Sequence, residues 1–185
     1  MTAERVWTAS NIMSCSRILL LGPLAVCLFS EFENNRLWAG IILLIGAFTD
    51  FLDGYFARKY HAVSEFGKIM DPLADKIAVG AIAIFLVILG DVPLWYVVLA
   101  LTRDGLIFAG GLYIRRKKNI IAQSNLPGKL AVSFIALFLL FSIVRWESLE
   151  DVRAITQWLS VVLMIVSLIV YGQRLFIGRA MNRAT

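Results

Sequence analysis

The sequence is poor in charged residues, cysteine and histidine. Its 18 Lys and Arg and 13 Asp and Glu make up 17% of 185 residues, whereas soluble globular domains carry about 25% charged residues. Both cysteines, Cys15 and Cys27, lie in one apolar run, which indicates small packing residues and no disulfide framework. The only histidine is His61. This composition excludes an ordinary soluble fold, a collagen-like repeat and a disordered chain.

Hydrophobic residues, in contrast, make up 59% of the chain and are concentrated in six long runs. A helix needs about 20 mostly apolar residues to cross a membrane core of about 30 Å. The runs are continuous and not alternating, which indicates helices. They cover residues 12–29, 37–56, 71–89, 93–114, 126–144 and 155–176. We therefore expect an all-α, polytopic membrane protein with six transmembrane helices in a single domain, residues 1–185.

Positive charge is distributed unevenly between the segments that connect these runs. With the N-terminus in the cytoplasm, eleven Lys and Arg residues fall on the cytoplasmic side and only Arg36, Arg145 and Arg153 on the other. Because cytoplasmic loops carry the excess of Lys and Arg, both termini are predicted to be cytoplasmic. The net charge of +5 then reflects this bias and contact with anionic lipids, as at a bacterial inner membrane, and not nucleic-acid binding. The acidic residues 147–151 are interpreted as a solvated loop on the opposite side.

Four aspartates stand at the predicted cytoplasmic ends of the second and third runs, where an apolar protein has little reason to keep them. Asp50 and Asp53 are three residues apart, and Asp71 and Asp75 are four apart, so each pair shares one face of a helix. Carboxylates without cysteine or histidine favour Mg²⁺ or Mn²⁺ over Zn²⁺. Such cations bridge and neutralise phosphate oxygens, so phosphate or pyrophosphate chemistry is indicated at the cytoplasmic face.

A structural explanation of these aspartates remains open at this point. Asp71 precedes Pro72 and could be the N-cap of a helix. Asp50 and Asp53 could form salt bridges with Arg58 or Lys76. The neighbouring residues favour a ligand site, because Gly54, Ala57 and Gly67 leave space near the backbone and Arg58 offers a bidentate donor for phosphate. Together they predict a pocket for a nucleoside diphosphate group.

The pattern Asp50-x-x-Asp53-Gly54-x-x-Ala57-Arg58, eight further residues, and Gly67-x-x-x-Asp71-x-x-x-Asp75 resembles the signature of the CDP-alcohol phosphatidyltransferase family. The resemblance implies transfer of a phosphatidyl group from a CDP-linked lipid to an alcohol, with release of CMP. It implies two divalent ions, Mg²⁺ or Mn²⁺, held by Asp50, Asp53, Asp71 and Asp75. Asp75 would also be the general base that activates the acceptor hydroxyl. The CDP moiety would be bound by Gly54, Ala57, Arg58 and Gly67, and family members are commonly homodimers.

Three basic residues outside this pattern are candidates for binding a phosphate of the acceptor: Arg17, Arg103 and Lys129. Ionisable residues inside membrane segments are functional by default. Two structural alternatives remain open, because Arg103 could simply pair with Asp104 and Lys129 could extend its ammonium group to the membrane interface.

The acceptor alcohol is less well determined than the family. Two branches fit, one that uses glycerol 3-phosphate and a cardiolipin synthase branch that uses phosphatidylglycerol. Many glycerol 3-phosphate enzymes have glutamate at the position of Asp104 and lysine at that of Ala131, so both departures favour the second branch. We still expect glycerol 3-phosphate, the acceptor of the commoner bacterial enzyme. A metal-ion transporter and a non-catalytic membrane scaffold are more distant alternatives.

Overall fold

The six apolar runs become six α-helices in the computed structural model, which describes residues 9–60, 67–118 and 126–180, with side chains in 18–49, 76–111 and 126–173. The helices are α1 (Ala9–Phe29), α2 (Asn35–Tyr60), α3 (Gly67–Ile88), α4 (Leu94–Lys118), α5 (Leu126–Val144) and α6 (Glu150–Ala180). No strand occurs in these ranges. The all-α prediction is therefore confirmed for the described residues.

Three described segments are long and apolar enough to cross a membrane: Leu94–Gly111 in α4, Leu126–Val144 in α5, and Glu147–Gln173, which includes most of α6. Shorter apolar segments occur at Ile18–Phe29, Asn35–Thr49 and Lys76–Ile88. These belong to α1, α2 and α3, whose described side chains cover only part of each helix. The composition of the described helices is thus that of a membrane protein.

Several helices extend beyond the apolar runs because charged residues suit their ends. α4 continues to Lys118 through a basic stretch, and cationic side chains interact favourably with the negative end of the helix dipole. α6 begins at Glu150, where acidic residues suit the positive end.

The interpretation of residues 147–151 as a loop was wrong. Glu147–Leu149 form a 3₁₀ turn, and Glu150 and Asp151 belong to the first turn of α6. Arg153 pairs with Glu150 one turn away, which supports the start of the helix.

The helices belong to two compact units. The first comprises the described residues of Met1–Asp91 with Ile143–Arg145, and α1 packs there against both α2 and α3. Its buried residues include Leu24, Leu28, Ala39 and Leu86, and Phe29 meets Phe85 edge to face with ring centroids 5.6 Å apart. Since α2 and α3 carry the aspartates, α1 is the shared support of the two helices that bear the signature.

The second unit comprises the described residues of Val92–Ser142 and Trp146–Thr185, and α4 packs there against α6. Tyr96, Phe138 and Met164 are buried in this unit. The ring centroids of Tyr96 and Phe138 lie 4.7 Å apart. The hydroxyls of Tyr96 and Ser160 are hydrogen-bonded at 2.6 Å, which joins α4 to α6.

The α3 helix ends in a tight turn that buries a carboxylate. Gly90 has φ +75°, the left-handed conformation that glycine adopts without strain. The Gly90 N–H donates to the Val87 carbonyl and the Asp91 N–H to the Leu86 carbonyl, the pattern of a Schellman motif. This turn places Asp91 in the interior of the first unit.

Candidate active site

The signature residues lie on two helices of the first unit. Asp50, Asp53, Gly54, Ala57 and Arg58 lie in α2, which continues without a break to Tyr60. Gly67, Asp71 and Asp75 lie in α3, which begins at Gly67. The spacings of three and four residues are therefore helical spacings, as predicted, whereas the side chains of these residues are outside the described set.

The start of α3 removes one structural explanation of the signature. A helix N-cap precedes the first helical residue, whereas Asp71 and Pro72 lie inside a helix that begins at Gly67. Asp71 is therefore not the N-cap of α3. Pro72 has no backbone N–H and so donates no helical hydrogen bond, whereas its carbonyl oxygen can still accept one.

The helical positions of the four aspartates are compatible with divalent cations. They supply only hard oxygen donors from two helices of the same unit, which is the ligand type that Mg²⁺ and Mn²⁺ prefer. Among residues with described side chains, no three His, Cys, Asp or Glu form a group that could hold a metal. The aspartates lie outside those residues, so the two-ion site remains a prediction that the family resemblance implies.

Of the three predicted acceptor-binding residues, Arg103 is the one whose surroundings are best defined. It lies in the middle of α4, and only 7% of its side chain is exposed. Its Nη1 donates to Asp104 Oδ1 at 2.7 Å, and its Nη2 donates to Ser167 Oγ on α6 at 2.8 Å. Its Nε is buried and has no hydrogen-bond partner within the described part of the chain.

The structure also bears on whether the pair with Asp104 accounts for Arg103. The pair is present, as the alternative interpretation expected, but half of the Asp104 side chain is exposed. Because burying a guanidinium is costly and one ion pair offsets that cost only together with further hydrogen bonds, the pair with Asp104 does not by itself account for a buried Arg103.

Lys129 lies next to a group that Arg103 contacts. The Arg103 Nη2 also approaches the carbonyl oxygen of Gly128 at 3.4 Å, so the start of α5 lies beside the middle of α4. Lys129 is exposed in the first turn of α5, where a long side chain can reach a ligand or the membrane interface. Arg103 and Lys129 thus occupy one region of the second unit. Arg17 lies in α1, and its side chain is not described.

Sequence reasoning missed Ser167, the fully buried hydroxyl that holds Arg103. One signal was present, because Ser160 and Ser167 are seven residues apart and therefore lie on one face of the apolar α6. Both serines are fully buried, and both bond to residues of α4.

Comparison with known proteins decides the family. The family model for CDP-alcohol phosphatidyltransferase matches residues 7–166, most of the chain. The chain belongs to the CDP-alcohol phosphatidyltransferase family. The residues that match this family include the four aspartates, Arg103 and Lys129.

Three curated relatives of this chain carry the name CDP-diacylglycerol--glycerol-3-phosphate 3-phosphatidyltransferase. The protein from Aquifex aeolicus is 33% identical over 86% of this chain and 89% of its own length. The Bacillus subtilis protein is 32% identical over 65% of this chain and 68% of its own length. The Rickettsia bellii protein is 28% identical over 85% of this chain and 89% of its own length.

Proposed function

We propose that the protein transfers the phosphatidyl group of CDP-diacylglycerol to glycerol 3-phosphate and releases CMP, a step of phospholipid biosynthesis. The observation that carries this proposal is the similarity to the Aquifex aeolicus enzyme, which extends over 86% of the chain. The acceptor oxygen forms a bond to the phosphorus of the phosphatidyl group, the bond from that phosphorus to the CMP oxygen breaks, and the acceptor hydroxyl loses its proton.

The signature residues supply the chemistry in this proposal. Asp75 accepts the proton of the acceptor hydroxyl as general base. The nucleotide is held by Gly54, Ala57, Arg58 and Gly67, with the Arg58 guanidinium on a phosphate. Asp50, Asp53, Asp71 and Asp75 would hold two divalent ions (Mg²⁺ or Mn²⁺), which would supply positive charge to the pyrophosphate and to the leaving CMP.

The acceptor is bound by basic side chains in the same proposal. Arg103 has an unused buried Nε–H, and Lys129 lies beside Gly128, which Arg103 contacts. A phosphate between two such cations gains charge-assisted hydrogen bonds. Arg17 in α1 is the third candidate for this phosphate.

The proposed setting is the membrane of a bacterial cell. The whole chain forms one membrane domain with six spans, both termini are cytoplasmic, and the active site faces the cytoplasm. The membrane-like composition of the described helices and the uneven distribution of Lys and Arg support this arrangement. The functional form is a homodimer in contact with membrane lipids.

Two residues support phosphatidylglycerol as an alternative acceptor, which would make the protein a cardiolipin synthase. Asp104 stands where many glycerol 3-phosphate enzymes have glutamate. Ala131, where many have a second lysine, is fully buried and provides no charge. Because both acceptors carry a phosphate beside a glycerol hydroxyl, the basic residues alone do not distinguish them.

A direct assay distinguishes these functions. Purified protein is incubated with CDP-diacylglycerol, Mg²⁺ or Mn²⁺, and either glycerol 3-phosphate or phosphatidylglycerol, and the release of CMP is measured. We expect CMP with glycerol 3-phosphate. Release with phosphatidylglycerol alone would establish the alternative acceptor, and no release with any acceptor would leave a transporter or scaffold as the better explanation.

A further inference from the structure

Ser167 is a buried polar residue to which the proposed reaction assigns no role. Its side chain is fully buried in α6, and its Oγ accepts the 2.8 Å hydrogen bond from Arg103 Nη2. It lies one residue beyond the part of the chain that the family model matches. Burying a hydroxyl in an apolar helix is unfavourable unless it is hydrogen-bonded, and the bond from Arg103 helps to offset that cost.

The packing of α4 on α6 fixes where Ser167 meets Arg103. Tyr96 bonds to Ser160, and Arg103 bonds to Ser167, seven residues later on both helices. Equal steps on both helices mean that α4 and α6 run parallel at these contacts. Tyr171 continues the contact one turn further, because its hydroxyl lies over Gly111, where an added Cβ would be 3.2 Å from it.

Ser167 is a neutral partner of Arg103, whereas an acidic residue at this position would cancel part of the charge of the guanidinium. Within the described part of the chain, the guanidinium contacts one charged partner, Asp104, and two neutral acceptors, Ser167 Oγ and the Gly128 carbonyl. The neutral acceptors fix the plane of the guanidinium without cancelling its charge. Asp104 is therefore the charged partner within these residues, and the buried Nε–H is left to donate to an anionic group.

We propose that Ser167 is a positioning residue for acceptor binding: it holds the Arg103 guanidinium in the orientation that receives the acceptor's phosphate. This inference rests on the proposed function, in which Arg103 binds that phosphate. Without the Ser167 hydroxyl, Nη2 keeps only the longer contact to Gly128, and the guanidinium can rotate away from the phosphate.

A matched pair of variants isolates the hydroxyl. Threonine and valine have nearly the same shape, so Ser167→Thr and Ser167→Val introduce the same crowding and differ in one oxygen. We expect Ser167→Val to raise the KM for glycerol 3-phosphate by about tenfold, as expected for a lost hydrogen bond to a charged group, with the KM for CDP-diacylglycerol unchanged. Ser167→Thr retains the acceptor KM of the natural protein.

Ser160→Ala is the control for a general effect on the packing of α4 and α6, because Ser160 is equally buried and bonds to α4 through Tyr96. We expect both KM values to be unchanged in this variant. Thermal unfolding of each variant in detergent reports packing separately from substrate binding.

The outcomes separate the inference from the proposed function. Two results with an active natural protein would overturn the inference alone. In the first, Ser167→Val keeps the natural KM for glycerol 3-phosphate. In the second, the KM values for both substrates rise, and they rise equally in the valine and threonine variants. A natural protein that releases no CMP with glycerol 3-phosphate overturns the proposed function and the inference with it.

Discussion

The Arg36 guanidinium donates a 2.6 Å hydrogen bond to the carboxylate of Asp91, whose side chain has no exposed surface. Arg145 donates to the other oxygen of the same carboxylate at 2.8 Å. One buried carboxylate thus joins the start of α2, the turn after α3 and the residue that follows α5, all within the first unit. Because the cluster connects the start of α2 to the turn after α3, and these two helices carry the signature, its loss should weaken the support of the active site.

Replacing Asp91 with asparagine tests the cluster. Asparagine keeps the shape but directs an amide donor or a neutral oxygen at two cations, so both ion pairs are lost. Removing one partner of a buried pair costs about 3–5 kcal/mol, and the lower end applies because the arginines can recover some water. We expect Asp91→Asn to lower the free energy of unfolding by about 3 kcal/mol in detergent, measured by denaturant or thermal unfolding.

The two arginines should not contribute equally, which gives this prediction an internal control. The side chain of Arg36 is 22% exposed and that of Arg145 is 58% exposed. Water therefore weakens the second pair more than the first. Arg36→Ala should destabilise the protein more than Arg145→Ala does, and the reverse order would contradict a burial-based explanation.

Gly40 lies where α2 needs a residue without a side chain. A Cβ built at this position would lie 2.8 Å from Val144 Cγ2, closer than real side chains approach each other. Valine is branched at Cβ and has little freedom to move aside. Gly40→Ala should therefore destabilise the protein by about 1–3 kcal/mol, the range for overpacked sites, as measured by thermal unfolding.

Gly80 provides the control for Gly40, because it lies inside α3 and an added Cβ meets nothing within 4 Å. Alanine favours helix over glycine by about 0.8–1.0 kcal/mol, so Gly80→Ala should be neutral or stabilising. Equal destabilisation by both substitutions would show that the Val144 contact is not the cause.

Asp75 is predicted to act mainly as the base for the acceptor proton, because Asp50, Asp53 and Asp71 are the main ligands of the ions that hold the lipid substrate. Asp75→Asn keeps the side-chain size and removes the base, so CMP release should fall by about 10²–10⁴-fold, the contribution of general base catalysis. Binding of CDP-diacylglycerol, measured by calorimetry, should be largely retained. Glu147→Gln, an exposed change in the 3₁₀ turn, is the control that should leave turnover unchanged; substantial turnover by Asp75→Asn would refute the assignment.

The six helices could be predicted because long apolar runs determine them with little help from tertiary contacts. The prediction for α5 gave its observed limits, Leu126–Val144. The ends of α4 and α6 were missed because hydropathy stops at charged residues, whereas helix ends accept charges of the appropriate sign. The same neglect of helix-end electrostatics led to the interpretation of residues 147–151 as a loop.

The candidate site could be predicted only in part, because one half of it is a local sequence pattern and the other depends on how helices pack. The aspartate signature is local in sequence, and its helical spacing follows from the residue numbers alone. The contact of Arg103 with Ser167 joins residues 64 positions apart and depends on the packing of α4 against α6. A serine in an apolar run gives no indication of which helix it faces, so the sequence alone could not identify this partner.

Arg103 itself provides the sharpest test of acceptor binding. Its planar guanidinium reaches Asp104, Ser167 and the Gly128 carbonyl together, whereas a lysine ammonium is a single point of charge on a flexible stem. Arg103→Lys keeps the charge but loses this fixed orientation. We expect the KM for glycerol 3-phosphate to rise about tenfold, as for one lost charge-assisted hydrogen bond, while the KM for CDP-diacylglycerol stays unchanged.

Arg153→Lys is the matched control for that substitution, since the pair that Arg153 forms with Glu150 lies within the first turn of α6. Both KM values should remain those of the natural protein. Lys129→Gln should give a smaller rise in acceptor KM than Arg103→Lys, because the exposed Lys129 ammonium on its flexible stem is less fixed in position than the buried Arg103 guanidinium. An unchanged acceptor KM in Arg103→Lys, with normal turnover, would show that the buried guanidinium has a role in helix packing and none in binding the acceptor.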